Sequence, residues 1–104
     1  FPWLASHPHH QLARRQMALP GGMISVVVKG DDGYAERIIR KLKLFTLAES
    51  LGGVESLIEV PAAMTHASVA GTTLQVPGNL VRISVGIENA DDLIADLKQA
   101  LDRL

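Results

Sequence analysis

The run Leu80-Val81-Arg82-Ile83-Ser84-Val85-Gly86-Ile87 (LVRISVGI) decides the fold. It alternates strictly, with Val81, Ile83, Val85 and Ile87 on one side and Leu80, Arg82, Ser84 and Gly86 on the other. A period of two is the pattern of a half-buried strand, and it sets Arg82 off the core-facing side. Beyond Ile87 the period changes. Asn89 is placed to cap a helix running through Leu104, with Asp91 and Asp92 in its first turn and Arg103 in its last, each matched to the helix dipole. Ala90, Leu93, Ile94, Leu97, Leu101 and Leu104 form the expected apolar face of that helix.

Moving back along the chain, Ala70 to Asn79 has the Gly, Thr and Pro content of a surface loop, and Ala62 to Ser68 reads as a helical turn or loop. Val54 to Val60 (VESLIEV) is a strand closed by Pro61, and Leu44 to Ala48 is a shorter strand before the Gly52-Gly53 break. In Tyr34 to Leu42, the apolar residues Ala35, Ile38, Ile39 and Leu42 fall at i, i+3, i+4 and i+7, one face of an amphipathic helix that Asp31 or Asp32 would cap. Met23 to Lys29 (MISVVVK) is nearly continuous in apolarity and predicts a well-buried strand. Ser6 is the expected N-cap of a first helix that continues through Gln11 to Met17 and ends at Pro20-Gly21-Gly22. This order predicts an α+β domain, a small and mostly antiparallel sheet with helices on one face.

A chain of 104 residues makes one domain with one modest core. Its formal net charge of −1 and its four aromatic residues exclude a basic, base-stacking nucleic-acid surface. Having no cysteine, it has no disulfide framework and no thiolate metal site, which fits a reducing cytoplasm. No apolar run is long enough to span a bilayer, so no membrane partner is expected. The chain begins at Phe1 rather than methionine, and it is read as a piece of a longer protein.

Few residues invite chemistry. Arg82, in the middle of a strand and off the core face, can meet a carboxylate bidentately; it can equally pair with a surface acid. The turn around Gly52-Gly53 can bring backbone amides to an anion, as well as serve as an ordinary turn. His7, His9 and His10 cluster without an acidic companion, so no metal site is assigned to them. His66 stands near Ser68 with no acid placed to orient it, and reads as a packed or capping histidine. Glu55 and Glu59 read as strand-flank acids, and Asp91 and Asp92 as helix-start acids. None forms a catalytic pair.

Several strings carry more when read together. They are Ser6-His7-Pro8, Leu12 to Met17 (LARRQM), Gly22 to Ser25 (GMIS), Leu44 to Leu57 (LFTLAESLGGVESL), Met64 to Ser68 (MTHAS) and Leu80 to Glu88 (LVRISVGIE). In that order and spacing the chain resembles the C-terminal domain of the Cys/Met-metabolism (transsulfuration) family of pyridoxal-phosphate (PLP) enzymes, most closely its cystathionine γ-synthases and γ-lyases. The resemblance covers nearly all of residues 1–104 and implies the small domain of a fold-type I PLP enzyme.

That resemblance implies roles. Arg82 would grip the substrate α-carboxylate, with Ser50 and the backbone of Leu51 at the same end of the site. Glu49 would face the distal part of the substrate, where a carboxylate suits the second ammonium of cystathionine. The Schiff-base lysine and the phosphate loop would belong to a preceding large domain, since Lys29, Lys41, Lys43 and Lys98 lie in no matching motif. Catalytic and cofactor-binding residues are therefore expected outside this chain, and the isolated chain is expected to hold no PLP and to be inactive. Its expected partners are an amino-acid substrate, its own N-terminal PLP domain and further copies of itself, as a tetramer in the parent family. The loop from Ala70 to Asn79 departs from the family in being short and neutral. The alternative is a stand-alone, non-enzymatic remnant that acts as a binding or interaction module.

Overall fold

β4 (Leu80–Ser84) is the strand on which the rest is built, hydrogen-bonded to a neighbour on each side. The structure is a computed structural model and describes residues 1–31, 33–64, 67–69 and 71–103. Its elements run α1 (His10–Gln16), β1 (Met23–Val27), α2 (Tyr34–Ile39), β2 (Thr46–Leu47), β3 (Leu57–Glu59), β4 and α3 (Ala90–Asp102), with a 3-10 turn at Ala67–Val69. The strands lie in the order β1-β4-β3-β2. β4 is antiparallel to β1 and β3, whereas β2 joins β3 in parallel, so the α+β sheet is mixed rather than wholly antiparallel.

The register aligns Ile24, Ile83 and Ile58 across three strands. With Val81 and Val60 they meet Ala35 and Ile39 of α2, Leu93 of α3 and Phe45 in one core. Burying each of the larger side chains among them contributes about 1.5–3 kcal/mol, which is why this face sets the layer order.

α3 starts as expected. The Asn89 side-chain oxygen accepts the N–H groups of Asp91 (2.9 Å) and Asp92 (3.3 Å). Its inward stripe differs from the expected one. Leu93, Asp96 and Ala100 are buried with Leu97 half-buried, while Ala90, Ile94 and Leu101 are exposed, and Leu104 lies outside the described residues. The reason is a carboxylate. Asp96 turns inward to accept three consecutive backbone N–H groups, from Lys43 (2.9 and 3.0 Å), Leu44 (2.7 Å) and Phe45 (3.3 Å). Burial opposes its ionisation, but the N–H groups of Leu44, Lys43 and Phe45 and the Gln99 amide outweigh burial and hold its pKa below the ordinary 3.8. At the other end of α3, Lys41 Nζ donates to the Arg103 carbonyl at 2.9 Å, a cation at the negative end of the helix.

Four further expectations change. The apolar run predicts a well-buried β1 reaching Lys29; the strand ends at Val27 and lies at the sheet edge, with Val27 56% exposed and Ile24 and Val28 turned to the core. β4 is bounded at Ser84, yet its pairing runs on in register, with the Val85 N–H donating to the Gly22 carbonyl and the Ile87 N–H to the Val54 carbonyl, while Ile87 itself is exposed rather than on the core face. Ser6 caps no helix: successive turns lead to His9 as the residue before α1, and His9 makes no side-chain cap. Asp31 does not cap α2 through its side chain either. Gly33 (φ 87°) occupies that position, and the Asp31 carboxylate pairs with Arg37 at 2.5 Å; Asp32 lies outside the described residues.

Candidate functional site

The second face of the sheet mixes apolar residues with polar and charged ones. Strand register aligns Ser25, Arg82 and Glu59 in one row and Met23, Ser84 and Leu57 in the next. Its β3 and β4 positions are covered, with Ser84 2%, Leu57 4% and Glu59 1% exposed, while Met23 and Ser25 on the edge strand β1 are exposed. β4 is therefore covered on both faces, where the alternation had predicted a half-buried strand. The cover is the segment 48–56, pinned where the Gly52 N–H donates to Ser84 Oγ at 2.8 Å. Gly52 itself has φ 76°, a left-handed conformation that disfavours any side chain.

Arg82 joins this cover to the sheet. Its Nη2 donates to the Glu49 carbonyl oxygen at 2.9 Å and pairs with Glu59 Oε1 at 2.9 Å, with the Arg82 side chain 22% exposed. Two acceptors on one nitrogen, one from β3 and one from the loop, fix where the guanidinium lies.

The return of the loop is locked as well. Buried Ser56 gives its N–H to Glu88 Oε1 and its hydroxyl to Glu88 Oε2, both at 2.8 Å, and its Oγ accepts the Gly86 N–H at 2.9 Å. The Ser56 N–H, the Ser56 hydroxyl and the N–H of Glu88 itself hold the Glu88 carboxyl below its ordinary 4.5. Gly86 has no room for a Cβ, which would strike the Val54 carbonyl oxygen, so this crossing requires glycine.

Of the residues expected at the site, Arg82 and Glu49 are brought together, through the Glu49 backbone rather than its carboxylate. The carboxylate on Arg82 is that of Glu59. Glu49, Ser50 and Leu51 are exposed on the same loop. Glu55 is exposed, as a strand-flank acid should be, whereas Glu59 is not. The signal that marks Glu59 is an acid inside an apolar run, one strand away from a lone strand arginine. His66 lies outside the described residues, and Ser68 is exposed. In the histidine cluster the His9 N–H donates to His7 Nδ1 at 3.1 Å, and His10 Nδ1 lies 3.0 Å from the Pro2 carbonyl oxygen. Among the described residues no group of three or more His, Cys, Asp or Glu could hold a metal ion, and no helix is long and apolar enough to cross a membrane.

The sequence pattern of the Cys/Met metabolism PLP-dependent enzymes matches residues 1–102. The chain belongs to the Cys/Met metabolism PLP-dependent enzyme family. It is 57% identical over 102 residues to the cystathionine γ-synthase of Mycobacterium leprae, covering 98% of this chain and 26% of that relative. It is 51% identical over 106 residues to the cystathionine γ-lyase of Dictyostelium discoideum, covering 99% of this chain and 27% of that relative. The crystal structure of metB from Corynebacterium glutamicum superposes with a TM-score of 0.93 at 55% identity, over 98% of this chain and 26% of that one. The methionine γ-lyase CalE6 of Micromonospora echinospora superposes at 0.87 with 44% identity, over 97% of this chain and 27% of that one. The chain thus spans about a quarter of the length of these family members.

The family's cofactor is PLP, and the residues gathered here do not fit it. A Schiff base needs a lysine amine, and the ladder positions flanking Arg82 are Ser25 and Glu59. The half-buried guanidinium suits an anionic group such as a carboxylate.

Proposed function

We propose that this chain is the C-terminal, substrate-carboxylate-binding domain of a PLP-dependent cystathionine γ-synthase or γ-lyase. Arg82 is the anchor for the α-carboxylate, Ser50 and the backbone of Leu51 complete that end, and Glu49 faces the distal ammonium of the substrate. The observation that carries this reading is the placement of Arg82. It lies on an inner strand, on the face away from α2 and α3, tied to the Glu49 carbonyl at the start of the Ser50-Leu51-Gly52-Gly53 turn. A guanidinium held in place by protein acceptors loses less freedom when a carboxylate arrives.

When bound in the large domain that would precede this chain, PLP supplies the electron sink for γ-elimination or γ-replacement. This chain holds and orients the amino acid. Expressed alone, it is expected to give no turnover of cystathionine with added PLP, and borohydride is expected to trap no cofactor on any of its lysines. A stable adduct on one lysine would refute that. The parent enzyme is taken to be cytoplasmic and homo-oligomeric.

The test of the anchor uses the complete protein. Arg82→Ala should raise KM for the amino-acid substrate about thirtyfold or more, the loss of a charge-assisted bidentate contact. An unchanged KM in a folded variant removes Arg82 from the site.

A further inference from the structure

Glu59 is a carboxylate 1% exposed on β3, directly across from Arg82 in the ladder. Stability alone is a weak account of it, because a buried ion pair seldom outperforms apolar residues of the same volume. Its geometry offers a better one. Arg82 sits between two strands, and the flank toward β1 presents Ser25, whose short, exposed side chain offers a guanidinium no opposing charge. The flank toward β3 presents Glu59, whose Oε1 takes Arg82 Nη2 at 2.9 Å. The arginine therefore leans toward β3, and there the same nitrogen meets the Glu49 carbonyl of the loop that carries Ser50 and Leu51.

We propose that Glu59 is a positioning residue for substrate recognition: through its ion pair it directs Arg82 toward the loop from Glu49 to Gly53, where the α-carboxylate is received. This rests on the reading of Arg82 as the carboxylate anchor. Glu59 touches no substrate. It acts by limiting the arrangements of a rotamer-rich side chain, so its loss weakens carboxylate binding even though it removes a negative charge from the neighbourhood.

The experiment uses the complete protein, with norvaline and norvalinamide as competing ligands that differ at the α-carboxyl group. Glu59→Gln should raise KM and the inhibition constant of norvaline about tenfold, with kcat and the inhibition constant of norvalinamide changing by less than about twofold. In an Arg82→Ala background, Glu59→Gln should have no further effect on the norvaline constant. Glu59→Asp, which keeps the charge but withdraws it by one methylene, should shift the norvaline constant in the same direction by less; it replaces Glu59→Gln if that variant does not fold. If Arg82→Ala erases the preference for norvaline while the Glu59 variants keep the wild-type preference, the positioning role is refuted and the anchor stands. A Glu59 effect that persists in full without Arg82 also refutes it. If Arg82→Ala itself leaves the preference intact, the anchor reading fails, and the positioning role falls with it.

Discussion

The two faces of the sheet are built on different principles. On the helix side, Ile24, Ile58, Val60, Val81 and Ile83 meet α2 and α3 in an apolar layer. On the loop side, Arg82, Glu59 and Ser84 are buried or half-buried under the segment 48–56 and held by directed bonds. The first face tolerates changes of shape that keep volume; the second depends on each donor meeting its acceptor. The difference matters for function, because a surface held by directed bonds can place a charge, whereas an apolar layer can only support it.

Substitutions should separate the two. Ile58→Ala, on the helix side at 2% exposure, should cost about 4 kcal/mol in urea unfolding through cavity formation, with Ile58→Val costing about 1. Asp96→Ala should cost about 3 kcal/mol, since it strands the N–H groups of Lys43, Leu44 and Phe45. On the loop side, Ser56→Ala should cost about 2 kcal/mol by removing the acceptor of the Gly86 N–H and one donor to Glu88. Smallest is Gly52→Ala, about 1 kcal/mol from its φ of 76°, with open space around the added methyl group. A loop-side loss much larger than the helix-side losses would reverse the comparison.

Acid sharpens it further, because each side is fastened by a carboxylate of depressed pKa. Glu88 titrates below its ordinary 4.5 and Asp96 below its ordinary 3.8, so their contributions are present above those values. Both are lost as pH falls through the lower, folded-state values. The urea midpoint should therefore drop on acidification below pH 4.5, and Asp96→Asn should flatten the later part of that drop. An acid profile unchanged by Asp96→Asn would show that its charge contributes nothing.

The helix-side face was legible in the sequence because burial there follows periodicity: Val81 and Ile83 on β4, Ala35 and Ile39 on α2. Asn89 was legible because a cap is a local motif. Asp96 was not, since the amides it satisfies lie more than fifty residues away in the chain and no local pattern announces them. The same holds for Glu59, whose partner Arg82 is set by strand register rather than spacing. β1 differs in the opposite direction: its apolar run predicts burial, yet an edge strand shows one face to the core and leaves Val27 exposed. Arg82 stood out because an arginine amid alternating apolar residues breaks the pattern that surrounds it. Its assignment to a carboxylate came from the resemblance to the family.

The most direct test is a crystal structure of the complete protein with norvaline bound. An Arg82 anchor requires a carboxylate oxygen about 2.7–2.9 Å from one of its guanidinium nitrogens, with the Glu59 pair still in place. Norvaline bound with its carboxylate elsewhere, and Arg82 engaged only by Glu59 and the Glu49 carbonyl, would contradict it.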